Sequence, residues 1–137
     1  MKMKSRAWIL LLAISCAACD GTGSGGWSPQ KNSSDPVSSI LPFKDVPIPK
    51  GFDLDNELSF SSEREGRRMG RLLYSGKMGP EELGTFMRDQ MEFHQWKFLS
   101  NDLANGTRTL SFTKGQERCR VYITKNGSHS DLGVLID

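Results

Sequence analysis

PEELGTFMRDQMEFHQ, residues 80 to 95, is the stretch on which the fold turns. Pro80 is preformed for the first position of a helix, and Glu81 and Glu82 then sit at the positive end of the helix dipole. Leu83, Phe86, Met87, Gln90, Met91 and His94 recur at i, i+3, i+4 and i+7 spacing and share one stripe. Arg88, Asp89 and Glu92 lie off it. The spacing predicts one amphipathic helix ending near His94 or Gln95. That stripe must be buried against something, and the flanking sequence supplies strands.

Before the helix, residues 58 to 62 alternate as a half-buried strand does, and Glu65-Gly66 is a turn signal. Residues 67 to 75 read as the returning strand, and residues 76 to 79 break it. After the helix, strands are expected over residues 96 to 103, 107 to 113, 118 to 125 and 132 to 136. Asn105-Gly106 is a strong hairpin signal, and turns at residues 114 to 116 and at Asn126-Gly127 separate the later strands. Alternation in RCRVYITK places Cys119, Val121 and Ile123 on one face and Arg118 and Arg120 on the other. Residues 40 to 52, ILPFKDVPIPKGF, carry Pro42, Pro47 and Pro49, which exclude a helix and a central strand. An extended edge segment is expected there, with Ile40, Val46, Ile48 and Phe52 able to pack. The implied fold class is α+β, a single amphipathic helix packed on an antiparallel β-sheet in two layers. The element order is β-β-α-β-β-β, with a possible further strand at the end.

The chain has 137 residues, enough for one domain. Three segments are expected: a signal peptide over residues 1–18, a flexible tether over 19–39, and a single domain over 40–137. Lys2, Lys4 and Arg6 form a short positive start, and AWILLLAI, residues 7 to 14, is an apolar run too short to span a bilayer. Small residues follow, up to Cys19. This ending resembles the lipobox of bacterial lipoproteins, with Ala17-Ala18-Cys19 matching and Cys16 where an aliphatic residue is usual. Cys16 is the alternative cleavage point, but Ile14 before it fits the small position poorly. The resemblance implies lipidation at Cys19 and a location in the bacterial cell envelope, anchored to a membrane and facing the periplasm. Several acyl chains on one residue anchor far more firmly than one. Asp20 leans toward the inner rather than the outer membrane, by similarity to enteric lipoproteins.

Residues 20 to 39, DGTGSGGWSPQKNSSDPVSS, cannot bury enough apolar surface to offset their ordering entropy. As a flexible linker they reach roughly 25 Å, holding the domain close to a lipid surface. Without the leader, fifteen basic residues face sixteen acidic ones. The net charge of −1 removes the global case for nucleic-acid binding.

Candidate chemistry is sparse. Cys119 is the one free thiol left once the leader is cut before Cys19 and that cysteine is lipidated, so it has no disulfide partner within the chain, and a buried, inert thiol is expected. His94 lies on the helix stripe and reads as a packed or helix-terminal residue. His129 sits in Ser128-His129-Ser130-Asp131, but catalytic groups normally converge from separate elements. Two histidines and a thiol give no metal-ligand spacing, so neither metal nor cofactor is expected. Arg64, Arg67, Arg68 and Arg71 form the sharpest charge cluster, with Glu63 and Glu65 as the expected neutralising partners. The asparagine sequons at Asn105 and Asn126 coincide with turns.

PFKDVPIPKGF, RLLYSG, PEELGTFMRDQM and a tryptophan-led strand together resemble small uncharacterised bacterial lipoproteins with a helix-on-sheet domain. In these, Met-x-x-x-Gly-Trp follows the helix, whereas here Gln95 stands in the glycine position before Trp96. The resemblance implies a fold and no activity. The leading functional expectation is a non-enzymatic module that binds or assembles an envelope component. Its contact surface is the sheet face away from the helix or the arginine hairpin, and its partner is an envelope protein, anionic lipid or glycan. The alternative is a small hydrolase-like enzyme using Cys119 or His129.

Overall fold

The computed structural model describes residues 41–137. The expected leader, the tether with Cys19, and Ile40 lie outside the described residues. Seven strands and one helix follow in the order β1 (Asp53–Leu54), β2 (Phe60–Arg64), β3 (Arg67–Gly76), α1 (Pro80–Phe93), β4 (Lys97–Ala104), β5 (Thr107–Lys114), β6 (Glu117–Asn126) and β7 (His129–Ile136). The class is α+β, as the helix stripe and strand alternation predict. The expected pair before the helix is preceded by a two-residue strand, and the optional last strand is present.

All strands join one antiparallel sheet in the order β1-β3-β7-β6-β5-β4, with β2 pairing the same edge of β3 as β1. β4 to β7 form a meander of hairpins. Asn105 and Gly106 both take positive φ, 52° and 76°, as a two-residue type I′ turn requires. At the expected Asn126-Gly127 turn, Asn126 is still a strand residue, and the loop is Gly127-Ser128. β7 lies inside the sheet between β3 and β6, joining the strands before the helix to the meander after it.

Burial alternates along β3, β6 and β7, leaving one face inside and the other partly open. Leu72, Val121, Ile123, Leu132, Val134 and Ile136 are among the buried residues. Leu83, Met87 and Met91, at i, i+4 and i+8 of α1, are fully buried with them, and α1 contacts β4, β5 and β6. Burying each such side chain contributes about 1.5–3 kcal/mol. The flanks of the stripe, Phe86, Gln90 and His94, are only half-buried.

α1 ends at Phe93, slightly before the expected boundary, in a Schellman motif. Gln95 N–H donates to Glu92 O at 2.9 Å and Trp96 N–H donates to Met91 O at 3.0 Å. Gln95 adopts φ 69°, the left-handed conformation that the motif requires there. The motif turns Trp96 into the core, where it is buried and its indole Nε1–H donates to Asp45 O at 2.9 Å. This bond fastens the proline-rich segment, whose Phe43, Val46, Ile48 and Phe52 are all buried. As expected, that segment forms no helix. Only Asp53–Leu54, just after it, pairs as a strand at the edge of β3.

Candidate binding face

The open face of the sheet is set by strand register. One row across it carries Arg71, Leu135 and Arg120. The next carries Leu73, Gly133 and Tyr122, and the third Ser75, Asp131 and Thr124. The edge strands extend the rows, since β2 pairs Phe60 with Arg71 and β1 pairs Asp53 with Ser75. Side chains stand perpendicular to a sheet, so a missing one leaves a dent. Gly133 is that dent, and a groove of about 470 Å³ opens there. Leu73, Tyr122 and Leu135 contribute its apolar walls, and Leu58 overhangs it from the loop before β2.

That loop is held by Asp55. Its Oδ1 accepts the backbone N–H groups of Glu57 and Leu58, each at 3.0 Å, and its own N–H donates to Leu73 O at 2.8 Å. Ser59 Oγ accepts the Leu73 N–H at 2.9 Å. The overhang is therefore part of the sheet edge. The groove is electrically polar along the strands. Arg71 stands at one end, Asp53 and Asp131 share the Ser75 row at the other, and Asp55 lies opposite Leu73 between them. Arg71 makes no ion pair among the described residues, its one contact being a long 3.4 Å bond to Leu58 O.

The arginines grouped by sequence separate in space. β2 pairs with β3 so that Arg64 and Arg67 flank the Glu65-Gly66 turn, and Arg71 joins the open face. Arg68 points the other way, by strand alternation. Its guanidinium donates to both Asp45 carboxylate oxygens and to both Glu117 oxygens. Lys114 Nζ adds a 2.9 Å bond to Asp45 Oδ2 and a 3.0 Å bond to His94 O at the helix end. The expected partners of the cluster were Glu63 and Glu65. The described residues give them no ion pair with it, because both side chains stay exposed and the inward arginine meets carboxylates from distant segments. Sequence spacing carried no signal for Asp45 or Glu117, which lie 23 and 49 residues from Arg68.

Electrostatics follow from this clasp. Partial burial by itself raises the Asp45 carboxyl, but hydrogen bonds and charge from Arg68 and Lys114 outweigh it and hold it at about 2. Hydrogen bonding to Arg68 likewise lowers Glu117, and the Arg68 guanidinium is held more firmly protonated by Glu117 and Asp45. These are the marks of a structural network that ties residue 45 to three strand ends and the helix terminus.

The remaining candidates stand apart. Cys119 is fully buried, and desolvation pushes its thiol up to about 12, so thiolate is scarce at neutral pH. Arg118 and Arg120 face away from it, as alternation predicts, and Arg120 pairs with Asp137 at 2.9 Å. His94 caps the helix C-terminus. His129 Nδ1 lies 3.1 Å from Ser128 Oγ, its sequence neighbour, while Asp131 accepts from Asn126 Nδ2 at 2.9 Å. Ser130 turns inward and donates to Met78 O. The Ser-His-Ser-Asp run therefore does not converge. Among the described residues no group of three His, Cys, Asp or Glu side chains is placed to hold a metal ion, and no helix is long and apolar enough to cross a membrane. No family model, no curated protein and no solved structure matches the chain.

Proposed function

We propose that the chain is a lipid-anchored envelope protein acting as a non-enzymatic binding module. In this reading helix and sheet form two layers, the helix covers one sheet face, and the uncovered face is the contact surface. The groove over Gly133 carries the reading, since it combines an apolar floor with charged groups that have no ion-pair partner among the described residues. Small-ligand and partner sites have this make-up, a concave apolar surface with a few placed polar groups. The two surfaces expected from sequence, the sheet face and the arginine hairpin, meet at Arg71, which with Phe60 continues the rows of β7 and β6. The burial of the Cys119 thiol and the sole pairing of His129 Nδ1 with its neighbour Ser128 among the described residues favour this reading over a hydrolase built on either residue.

Two measurements test the proposal. Mass spectrometry of the membrane-extracted protein is expected to find an acylated cysteine at position 19 as the N-terminus. An unmodified protein confined to the soluble fraction overturns the anchor. Affinity capture from native membranes is expected to retain one stoichiometric protein that an Arg71→Glu, Tyr122→Ala variant loses. An identical set of captured proteins with both forms overturns the assignment of the face.

A further inference from the structure

Three glycines lie in strand positions with ordinary φ, and their surroundings differ. A Cβ on Gly76 would meet the Phe52 ring at 2.4 Å, and one on Gly70 would meet Phe60 O at 2.8 Å, so packing excludes side chains there. A Cβ on Gly133 would meet Leu73 Cδ2 at 3.4 Å and Tyr122 Cβ at 3.5 Å, which is ordinary contact. Neither backbone nor packing requires glycine in the middle of β7. Glycine weakens a strand interior, and it marks places where another backbone or a ligand approaches closely. A local rule broken without structural need is expected at functional sites.

We propose that the groove over Gly133 binds an extended peptide segment of a partner protein, lying along the strands. The segment bears an acidic side chain at one end, an apolar side chain in the middle and a basic side chain at the other end. The inference rests on the reading of the open face as the contact surface and names what lies on it. Spacing and charge select this occupant. Arg71, Leu73 and Ser75 step along β3 two residues at a time, so the outer two rows are about 13 Å apart at the usual strand rise. An extended peptide presents residues i, i+2 and i+4 on one face over the same distance. The acidic side chain meets Arg71, the apolar one fills the dent at Gly133 between Leu73 and Tyr122, and the basic one meets Asp53 and Asp131 in the Ser75 row. An anionic lipid surface fits less well, because the carboxylate end of the groove repels it.

The test uses the mature full-length protein and blocked synthetic pentapeptides, with binding followed by calorimetry and by chemical shifts of the open-face amides. Glu-Thr-Leu-Thr-Lys is expected to bind saturably. Glu-Thr-Leu-Thr-Glu and Lys-Thr-Leu-Thr-Lys are each expected to bind roughly ten-fold more weakly, each having one end opposed to like charge. Gly133→Val fills the dent and is expected to abolish binding, with an unchanged circular dichroism spectrum. Arg71 is exposed, so Arg71→Glu is expected to keep the wild-type circular dichroism spectrum. It is expected to transfer the preference to the peptide with two lysines. Equal binding of all three peptides, no saturable binding, unaltered binding by folded Gly133→Val, or binding only of anionic phospholipid vesicles overturns the inference. The wider reading falls separately, through the capture experiment with native membranes.

Discussion

Gln95 holds a left-handed backbone with φ 69° at the position that closes the Schellman motif. For a residue with a Cβ this conformation costs roughly 1–2 kcal/mol, and glycine avoids it. Gln95 is exposed and makes no hydrogen bond through its side chain among the described residues. Gln95→Gly is therefore expected to raise stability by about 1 kcal/mol, partly offset by the greater freedom of glycine in the unfolded chain. Urea unfolding checks this, and a loss of stability contradicts the assigned motif. Cys119 gives a second prediction at this scale. A water-soluble thiol reagent should label it slowly in the native protein and rapidly in denaturant. Cys119→Ala should cost about 1 kcal/mol, the order for a small buried apolar group. Fast native labelling would show a reachable thiolate, contrary to its burial. Both residues were partly legible from sequence. Alternation placed the thiol, and the helix period placed Gln95 at the end of α1, but only the backbone angle shows the conformation it holds.

At the scale of elements, the clasp at the helix end joins segments far apart in sequence. Asp45 accepts from Arg68 of β3 and Lys114 of β5, and Arg68 also donates to Glu117 of β6. Because the Asp45 carboxyl is held at about 2 rather than 3.8, its stabilising contribution is fully present above its unfolded value. That contribution fades as pH falls from about 4 to about 2, and it amounts to at most about 2 kcal/mol. Asp45→Asn is expected to lower stability at neutral pH and to flatten the decline in acid, as measured by thermal melts across that range. An acid profile identical to that of the wild type would mean that the clasp does not couple to folding. The hairpins, the helix and the alternation were readable because each depends on neighbours a few residues away. The clasp was not, because a charge run read locally finds Glu63 and Glu65 as partners. Which face each arginine takes is fixed by strand register, and that register sends Arg68 away from Arg67 and Arg71.

Over the described residues, burial alternates along the strands and the partly open sheet face keeps a groove whose ends differ in charge. The sequence named the sheet face and the arginine hairpin as alternatives. It could not show that Arg71 alone of the four arginines joins the face, since the row from Phe60 and Arg71 to Leu135 and Arg120 is assembled from four strands. The open space over Gly133, in the next row, shows only once its neighbours Leu73 and Tyr122 are known. The central claim is that this face, on a lipid-anchored protein, is where a partner sits. It is tested most directly by a photo-cross-linking residue placed at Tyr122, on the open face, and separately at Asp89, on the exposed side of the helix, in protein kept in its native membrane. A single discrete adduct from position 122, absent from position 89, is the predicted result. Equal adducts from both positions, or an adduct from position 89 alone, would contradict it.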